Sequence, residues 1–238
     1  MDANSNNNID TSEEQNTLEM QKINATVNSA LYFKKKPVFA FFKRFFDIIN
    51  STFAIILLSP LLLIIALIVK FTSKGPVLYR HKRIGKNGRP FSMLKFRTMK
   101  WDKRPIEEQL TKEQLEQFYR EFKVDNDPRI TKIGKFLRKT SLDELPQLWD
   151  IFVGRMSVVG PRSPIPCEVE KYNEYQMHRL DVKGGLLCLW QIQKNRNSIS
   201  FDDWVKLDIE YAKKRSLWLD FKIIVKGAWM VIFDHSGE

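Results

Sequence analysis

Two adjacent carboxylates, Asp143 and Glu144, stand inside the stretch 140–162, TSLDELPQLWDIFVGRMSVVGPR. Side-by-side acids do not readily flank a glycosidic bond from opposite faces, so the paired-carboxylate glycosidase arrangement is disfavoured. No Ser-His-Asp or Cys-His arrangement is suggested by spacing. A carboxylate can, however, attack phosphorus to form an aspartyl phosphate, and a neighbouring carboxylate can hold Mg²⁺, which takes oxygen ligands and neutralises phosphate charge. Arginine and lysine nearby would stabilise the transferring group. Ser141 and Glu144 have the spacing of a capping box, and Leu142, Leu145, Leu148, Trp149 and Phe152 recur at helical intervals. This predicts a helix with both acids in or beside its first turn, where free N–H groups and the dipole favour negative charge or a bound phosphate. A capping box accounts for Glu144 alone; it leaves Asp143 and the Gly160-Pro161-Arg162 run unexplained. Pro146 conflicts with an uninterrupted helix unless the boundary lies a residue or two away.

The element that precedes this stretch is apolar. From Thr52 to Val69 only Thr52, Ser59 and Pro60 interrupt a hydrophobic run about long enough, when extended back to Phe45, to cross a bilayer. Pro60 removes a backbone hydrogen bond in mid-run. Lysines and arginines flank both ends, Lys34 to Arg44 before and Lys70 to Arg83 after, which a single span under the positive-inside rule does not explain. A helix broken at Ser59-Pro60 that enters and leaves on the cytoplasmic face satisfies both observations. The alternative is a kinked transmembrane helix.

With a formal net charge of +11 over 238 residues, the body of the chain is basic, while residues 1–30 hold one lysine against five acids. That balance points to phosphorylated substrates, an anionic membrane face or nucleic acid; the apolar run argues against nucleic acid. The Asn-rich segment 1–30 reads as a disordered polar N-terminus. Cys167 and Cys188 have neither metal-ligand spacing nor a disulfide framework, and His81, His178 and His235 read as ordinary surface or packing residues. Asn87-Gly88 predicts a β-hairpin, with Arg83, Lys95 and Arg97 placing positive charge near it. Thr111 and Gln114 predict a second capping box. Helices are predicted over 168–180, 201–215 and 217–233, with a short strand over 186–192; the last helix, with Trp218, Trp229 and interspersed lysines, suits either a membrane interface or the core.

From about Lys43 to Phe233 the chain resembles the bacterial sugar transferase family, the monotopic polyprenyl-phosphate phosphoglycosyl transferases. The stretches that carry the likeness are KRFFDIINSTFAIILLSP, GPVLYRHKRIGKNGRPFSMLKFRTM, DPRITKIGKFLRKTSLDELPQLWDIFVGRMSVVGPR and LDIEYAKKRSLWLDFKII, in the family's order. The resemblance implies an α+β, mostly helical fold: a re-entrant membrane helix over 31–72, broken at Ser59-Pro60, and a catalytic domain over 73–238 with a small β-hairpin and interfacial helices, on the cytoplasmic face of the bacterial inner membrane. It implies transfer of a sugar 1-phosphate from a UDP-sugar to undecaprenyl phosphate with release of UMP, initiating capsule, exopolysaccharide, lipopolysaccharide or glycoprotein glycans. Asp143 would be the nucleophile, forming a phosphosugar–aspartyl intermediate, and Glu144 would help hold Mg²⁺. Lys95, Arg97, Arg162, Arg196 and Asp220 fall on the positions expected to contact substrate. Partners implied are membrane lipid and later glycosyltransferases, with no nucleic acid; a catalytically weak scaffold binding those glycosyltransferases is the alternative function. The chain departs from the family pattern at Ser163, where proline is usual after Gly-Pro-Arg. It departs again at Gly184, Leu187 and Cys188, which replace proline, threonine and glycine, and at Lys194-Asn195, where a single glycine is usual. These positions bear on the nucleotide-sugar pocket.

Overall fold

Helix α1, Pro37–Thr72, is 36 residues long and is apolar on nearly every face, so by length and composition it can cross a membrane. The computed structural model describes residues 33, 36–102, 104–121, 124–193 and 198–233; the segment 1–30, the turn Lys194-Asn195 and Arg196 lie outside the described residues. The helix continues through the expected break at Ser59-Pro60. Pro60 has no N–H for the carbonyl four residues back, and the Ser59 hydroxyl donates to that Ile56 carbonyl instead, at 2.8 Å. One stripe of α1 meets the rest of the chain. Asp47 and Ser51 are buried, Ala54, Ile55 and Leu58 pack against Met93, Leu148, Ile151 and Met156, and Leu62, Ile65, Ala66 and Val69 pack with Phe96 and Leu137. These positions recur every three or four residues, on both sides of Pro60. Phe41, Phe53, Ile56, Leu63 and Phe71 lie exposed on the remaining faces.

After α1, strands β1, Leu78–Ile84, and β2, Pro90–Phe96, form the expected antiparallel hairpin, with Tyr79 opposite Lys95. Asn87 and Gly88 take the positive φ values, 58° and 72°, that the turn requires. Helix α2, Lys112–Glu121, starts at the Thr111–Gln114 capping box, with each side chain bonded to the other's backbone N–H. Helix α3, Lys132–Lys139, precedes the turn carrying the two acids, and α4 spans Gln147–Phe152. Strand β3, Ser157–Val159, pairs in parallel with β4, Gly185–Leu187, so the short strand expected over 186–192 is confined to its first residues.

The crossover between these strands is broken where one helix is expected over 168–180. Helix α5 covers only Pro166–Val169 and α6 only Glu174–Met177. Asn173 caps α6 by accepting from Gln176 N at 2.9 Å, and an N-cap residue leaves helical geometry, which is why a single helix cannot pass through it. Helices α7, Phe201–Lys214, and α8, Leu217–Phe233, close the domain over β3: Tyr211, Ile223 and Met230 pack with Val159 and Ile192. Trp218, Phe221, Val225 and Trp229 stay exposed along the other side of α8. The fold is thus α+β and mostly helical, with two small sheets among the described residues.

Candidate active site

Strand β2 carries Lys95, and the chain that brings the acids to it is held by close backbone approach. Thr131 caps α3, its hydroxyl accepting from Gly134 N at 2.8 Å, while Thr131 N donates to Thr98 O at 3.0 Å. A Cβ at Gly134 would lie 1.9 Å from that Thr98 oxygen, so only glycine lets α3 pack this near the end of β2. Arg138 adds a bond from Nε to the Thr98 hydroxyl at 2.9 Å.

Past α3 the chain turns sharply. Ser141 has φ 55°, in the left-handed region, and makes no side-chain cap bond, so the capping box expected at Ser141–Glu144 does not form. The acids lie in a 3₁₀ turn, Leu142–Glu144, and α4 begins only at Gln147, with Pro146 at its N-cap position. This removes the conflict over proline: Pro146 precedes the helix rather than interrupting it. Leu142 and Leu145 turn into the cluster of Phe96, Leu137 and Val69, which anchors both ends of the turn.

Asp143 is 6% exposed. Lys95 Nζ lies 2.6 Å from Glu144 Oε1 and 4.0 Å from Asp143 Oδ2, so one ammonium addresses both acids but bonds to Glu144. Burial pushes the Asp143 carboxyl up to about 6; Lys95 opposes this and the charge on Glu144 adds to it. Burial also acts upward on Glu144, but Lys95, then Arg162 and Arg83, outweigh it and hold that carboxyl below its ordinary value. The two neighbours are thereby driven in opposite directions, the pattern expected where adjacent acids take different roles.

Around them sits an excess of positive charge. Burial, then Arg83, Lys95 and Arg162, lowers His81 to about 4. Arg83 is 4% exposed, donates from Nη1 to Ser163 O at 2.9 Å, and is lowered to about 10 by burial and by Arg162. Three cations, Lys95, Arg162 and Arg83, act on one ion-paired glutamate, an excess of positive charge suited to an anion. Spacing on a single strand did place Arg83 near the hairpin, but its closeness to Glu144 and Arg162 depends on the return of the chain at Ser163 and Pro164, where Ile84 N donates to Pro164 O at 2.9 Å. The same proximity gives His81, expected to be an ordinary surface or packing residue, a place among these cations.

Of the residues expected to contact substrate, Lys95 and Arg162 are gathered around the acids. Arg97 is placed elsewhere: it donates to Val69 O at 3.1 Å, Ser73 O at 2.7 Å and Ser73 Oγ at 2.9 Å, and to Lys74 O, closing the C-terminus of α1. A side chain that satisfies the orphan carbonyls of a helix end has its donors committed there. Asp220 is likewise engaged away from the acids, accepting from Lys43 Nζ at 2.6 Å and Tyr211 Oη at 2.7 Å, so that it ties α8 to α1 and α7. Arg196 lies outside the described residues.

Two of the departures from the family pattern meet in space. A Cβ at Gly184 would stand 2.0 Å from Ser163 Oγ, so the loss of a ring at one position makes room for the hydroxyl at the other. Cys188 is 1% exposed and its thiol is pushed well up by burial.

Among the described residues no group of three or more His, Cys, Asp or Glu gathers as a metal cage. Two adjacent carboxylates do match Mg²⁺, which is commonly held by one or two carboxylates together with substrate phosphates and water. Lys95 engages one oxygen of Glu144, so a Mg²⁺ there would draw on its second oxygen.

Comparison with known proteins adds to this geometry. The family model described as Bacterial sugar transferase matches residues 38–234. The chain is 43% identical over 195 residues to the exopolysaccharide production protein ExoY of Rhizobium meliloti, covering 80% of this chain and 85% of that protein. It is 41% identical over 196 residues to the undecaprenyl-phosphate galactose phosphotransferase of Salmonella typhimurium, covering 81% of this chain and 40% of the relative. It is 40% identical over 189 residues to the UDP-glucose:undecaprenyl-phosphate glucose-1-phosphate transferase of Escherichia coli, covering 76% and 38%. The chain spans about two fifths of the length of several of the curated relatives it matches.

Proposed function

Since the chain belongs to the bacterial sugar transferase family, we propose that it transfers a sugar 1-phosphate from a UDP-sugar to undecaprenyl phosphate and so begins assembly of a cell-surface polysaccharide. The observation that carries this reading is the Asp143–Glu144–Lys95 group with Arg83 and Arg162 acting on Glu144. Relatives whose names specify galactose and glucose stand at nearly equal identity, so the family does not choose the sugar.

In this mechanism an Asp143 carboxylate oxygen attacks the sugar-bearing phosphorus of the UDP-sugar. The bond from that phosphorus to the bridging oxygen breaks, and UMP departs with the electron pair. A phosphate oxygen of undecaprenyl phosphate then attacks the same phosphorus, the aspartyl–phosphorus bond breaks, and Asp143 is regenerated. Asp143 is the better nucleophile of the pair because Lys95 bonds Glu144 at 2.6 Å and stands 4.0 Å from Asp143. Lys95, Arg83 and Arg162 hold the diphosphate and spread its charge as the phosphoryl group moves. Glu144 would help hold Mg²⁺, which supplies further charge neutralisation on the phosphates.

The anchor fits the same reading. The face of α1 from Asp47 to Val69 follows the domain for about 33 Å, longer than the hydrocarbon core of a bilayer at about 30 Å. A helix crossing the membrane upright would carry this basic domain with it into the lipid. A helix that starts and ends on the domain's own side, with its outer apolar face in one leaflet, avoids that cost. The domain then lies on the cytoplasmic face, where UDP-sugars are found, with Trp218, Phe221 and Trp229 of α8 at the interface.

The test is UMP release by the detergent-purified chain with undecaprenyl phosphate, Mg²⁺ and a panel of UDP-sugars, alongside Asp143→Asn. Release with one sugar, lost in the variant by at least about a thousand-fold, is the expected result. Equal release by Asp143→Asn would overturn the role of Asp143, and no release by folded protein with any sugar would overturn the reaction.

A further inference from the structure

Arg162 stands between two environments. On one side its charge acts on Glu144 and Arg83; on the other its guanidinium lies 5.4 Å from the centre of the Trp204 ring. Trp204 belongs to an aromatic cluster drawn from three parts of the chain. Trp190, just after β4, has its ring centre 4.5 Å from that of Trp204. Phe201, at the start of α7, lies 6.1 Å from Trp204 and 6.1 Å from Tyr172. Arg179, bonded to Asp208 at 2.7 Å and to the Tyr172 hydroxyl, sits 5.5 Å from the Trp204 ring and props it from behind.

This cluster is not finished as a hydrophobic core would be. Phe201 is 42% exposed although it neighbours two other rings. The indole N–H groups of Trp190 and Trp204 are buried and find no acceptor among the described residues, and a buried donor without a partner is costly enough to call for an explanation. The cluster therefore combines one exposed ring, Phe201, two buried N–H donors without partners and a cation that also acts on Glu144.

We infer that the Trp190–Phe201–Trp204 cluster is the subsite for the nucleobase of the nucleotide sugar, with Arg162 joining it to the diphosphate; this rests on the phosphate-site reading of the acids given above. A phosphate at Arg162 brings the attached nucleoside against these rings. A pyrimidine dione presents a flat π-face and two carbonyl oxygens, which suit ring faces and N–H donors. Base–aromatic stacking tolerates varied geometry and contributes substantially to affinity.

Equilibrium binding of UMP, ribose 5-phosphate and inorganic pyrophosphate to the full detergent-purified chain tests the assignment. Wild type should bind UMP about ten-fold or more tightly than ribose 5-phosphate, the difference being the base. Phe201→Ala and Trp190→Leu should each lose most of that advantage while ribose 5-phosphate and pyrophosphate bind as in wild type. Phe201 is exposed, so its variant keeps the fold, and pyrophosphate binding checks that it has. Equal affinity of wild type for UMP and ribose 5-phosphate, or an undiminished UMP advantage in Phe201→Ala, would overturn the subsite alone. Failure of wild type to bind any of the three would overturn the phosphate-site reading and the subsite with it.

Discussion

Asp143 sets two pH trends of opposite sign. Its folded value of about 6 lies above the ordinary 3.8, so the folded chain holds this proton more tightly than the unfolded one. The stability it contributes is complete below about 3.8 and is lost as pH rises through about 6. At neutral pH the ionised, buried carboxylate therefore costs up to about 3 kcal/mol, since each pH unit between the folded and unfolded values corresponds to roughly 1.4 kcal/mol. Asp143→Asn should melt at higher temperature than wild type at pH 7.5, with the gap closing toward pH 4; identical melting curves at both pH values would sink the idea that burial strains this group. Activity runs the other way. Only the ionised form attacks phosphorus, so kcat/KM should fall about ten-fold per pH unit below about 6. The adjacency of the two acids was readable in the sequence. Their divergence was not, because it follows from Lys95 reaching Glu144 from β2 and from burial supplied by α3 and the turn.

Among the elements, Arg97 shows how a cation near a motif is assigned by packing. Its donors close the last turn of α1. Arg97→Ala should cost about 2–4 kcal/mol, the loss of several partly buried charged hydrogen bonds, with KM for the UDP-sugar within a few-fold of wild type. A large rise in KM at unchanged stability would restore it to the substrate site. The periodicity of 142–152 predicts a helix, and the chain does make one, but from Gln147. The difference is one turn, and it converts the acids from helix residues into a displayed 3₁₀ turn. Hairpin and α7 matched their local signals closely, Asn-Gly and amphipathic spacing respectively. Of the parallel pair β3–β4, the strand expected over 186–192 is realised only at 185–187 and β3 had no local signal, since three-residue strands are defined by their partner rather than by their own pattern.

For the whole molecule, the exposed apolar residues of α1, α4 and α8 suit contact with lipid. Trp149 and Phe152 on α4 and Trp218, Phe221 and Trp229 on α8 are exposed, as are Phe41, Phe53, Ile56, Leu63 and Phe71 of α1. Membrane association should persist in high salt, because hydrophobic insertion does not weaken with ionic strength as phosphate-driven nucleic-acid binding does. In a Cys167→Ser background, Leu31→Cys and Lys74→Cys in right-side-out vesicles should both resist an impermeant thiol reagent and both react once the vesicles are opened. Reaction of Leu31→Cys alone in sealed vesicles would establish a spanning helix and refute the re-entrant arrangement.

Local chemistry in the sequence determined which residue types are available: paired acids, flanking cations, an apolar anchor interrupted by Ser59-Pro60, and the hairpin. These depend on neighbours a few positions apart, within reach of propensity and hydrophobic period. The tertiary structure alone decided which charged groups lie beside the acids. Arg83 and Arg162 join Lys95 there, while Arg97 and Asp220 are drawn away to a helix end and to a Lys43–Tyr211 contact. Electrostatic partnership falls off over a few ångströms, and that distance is set by how α3, β2 and the parallel crossover pack.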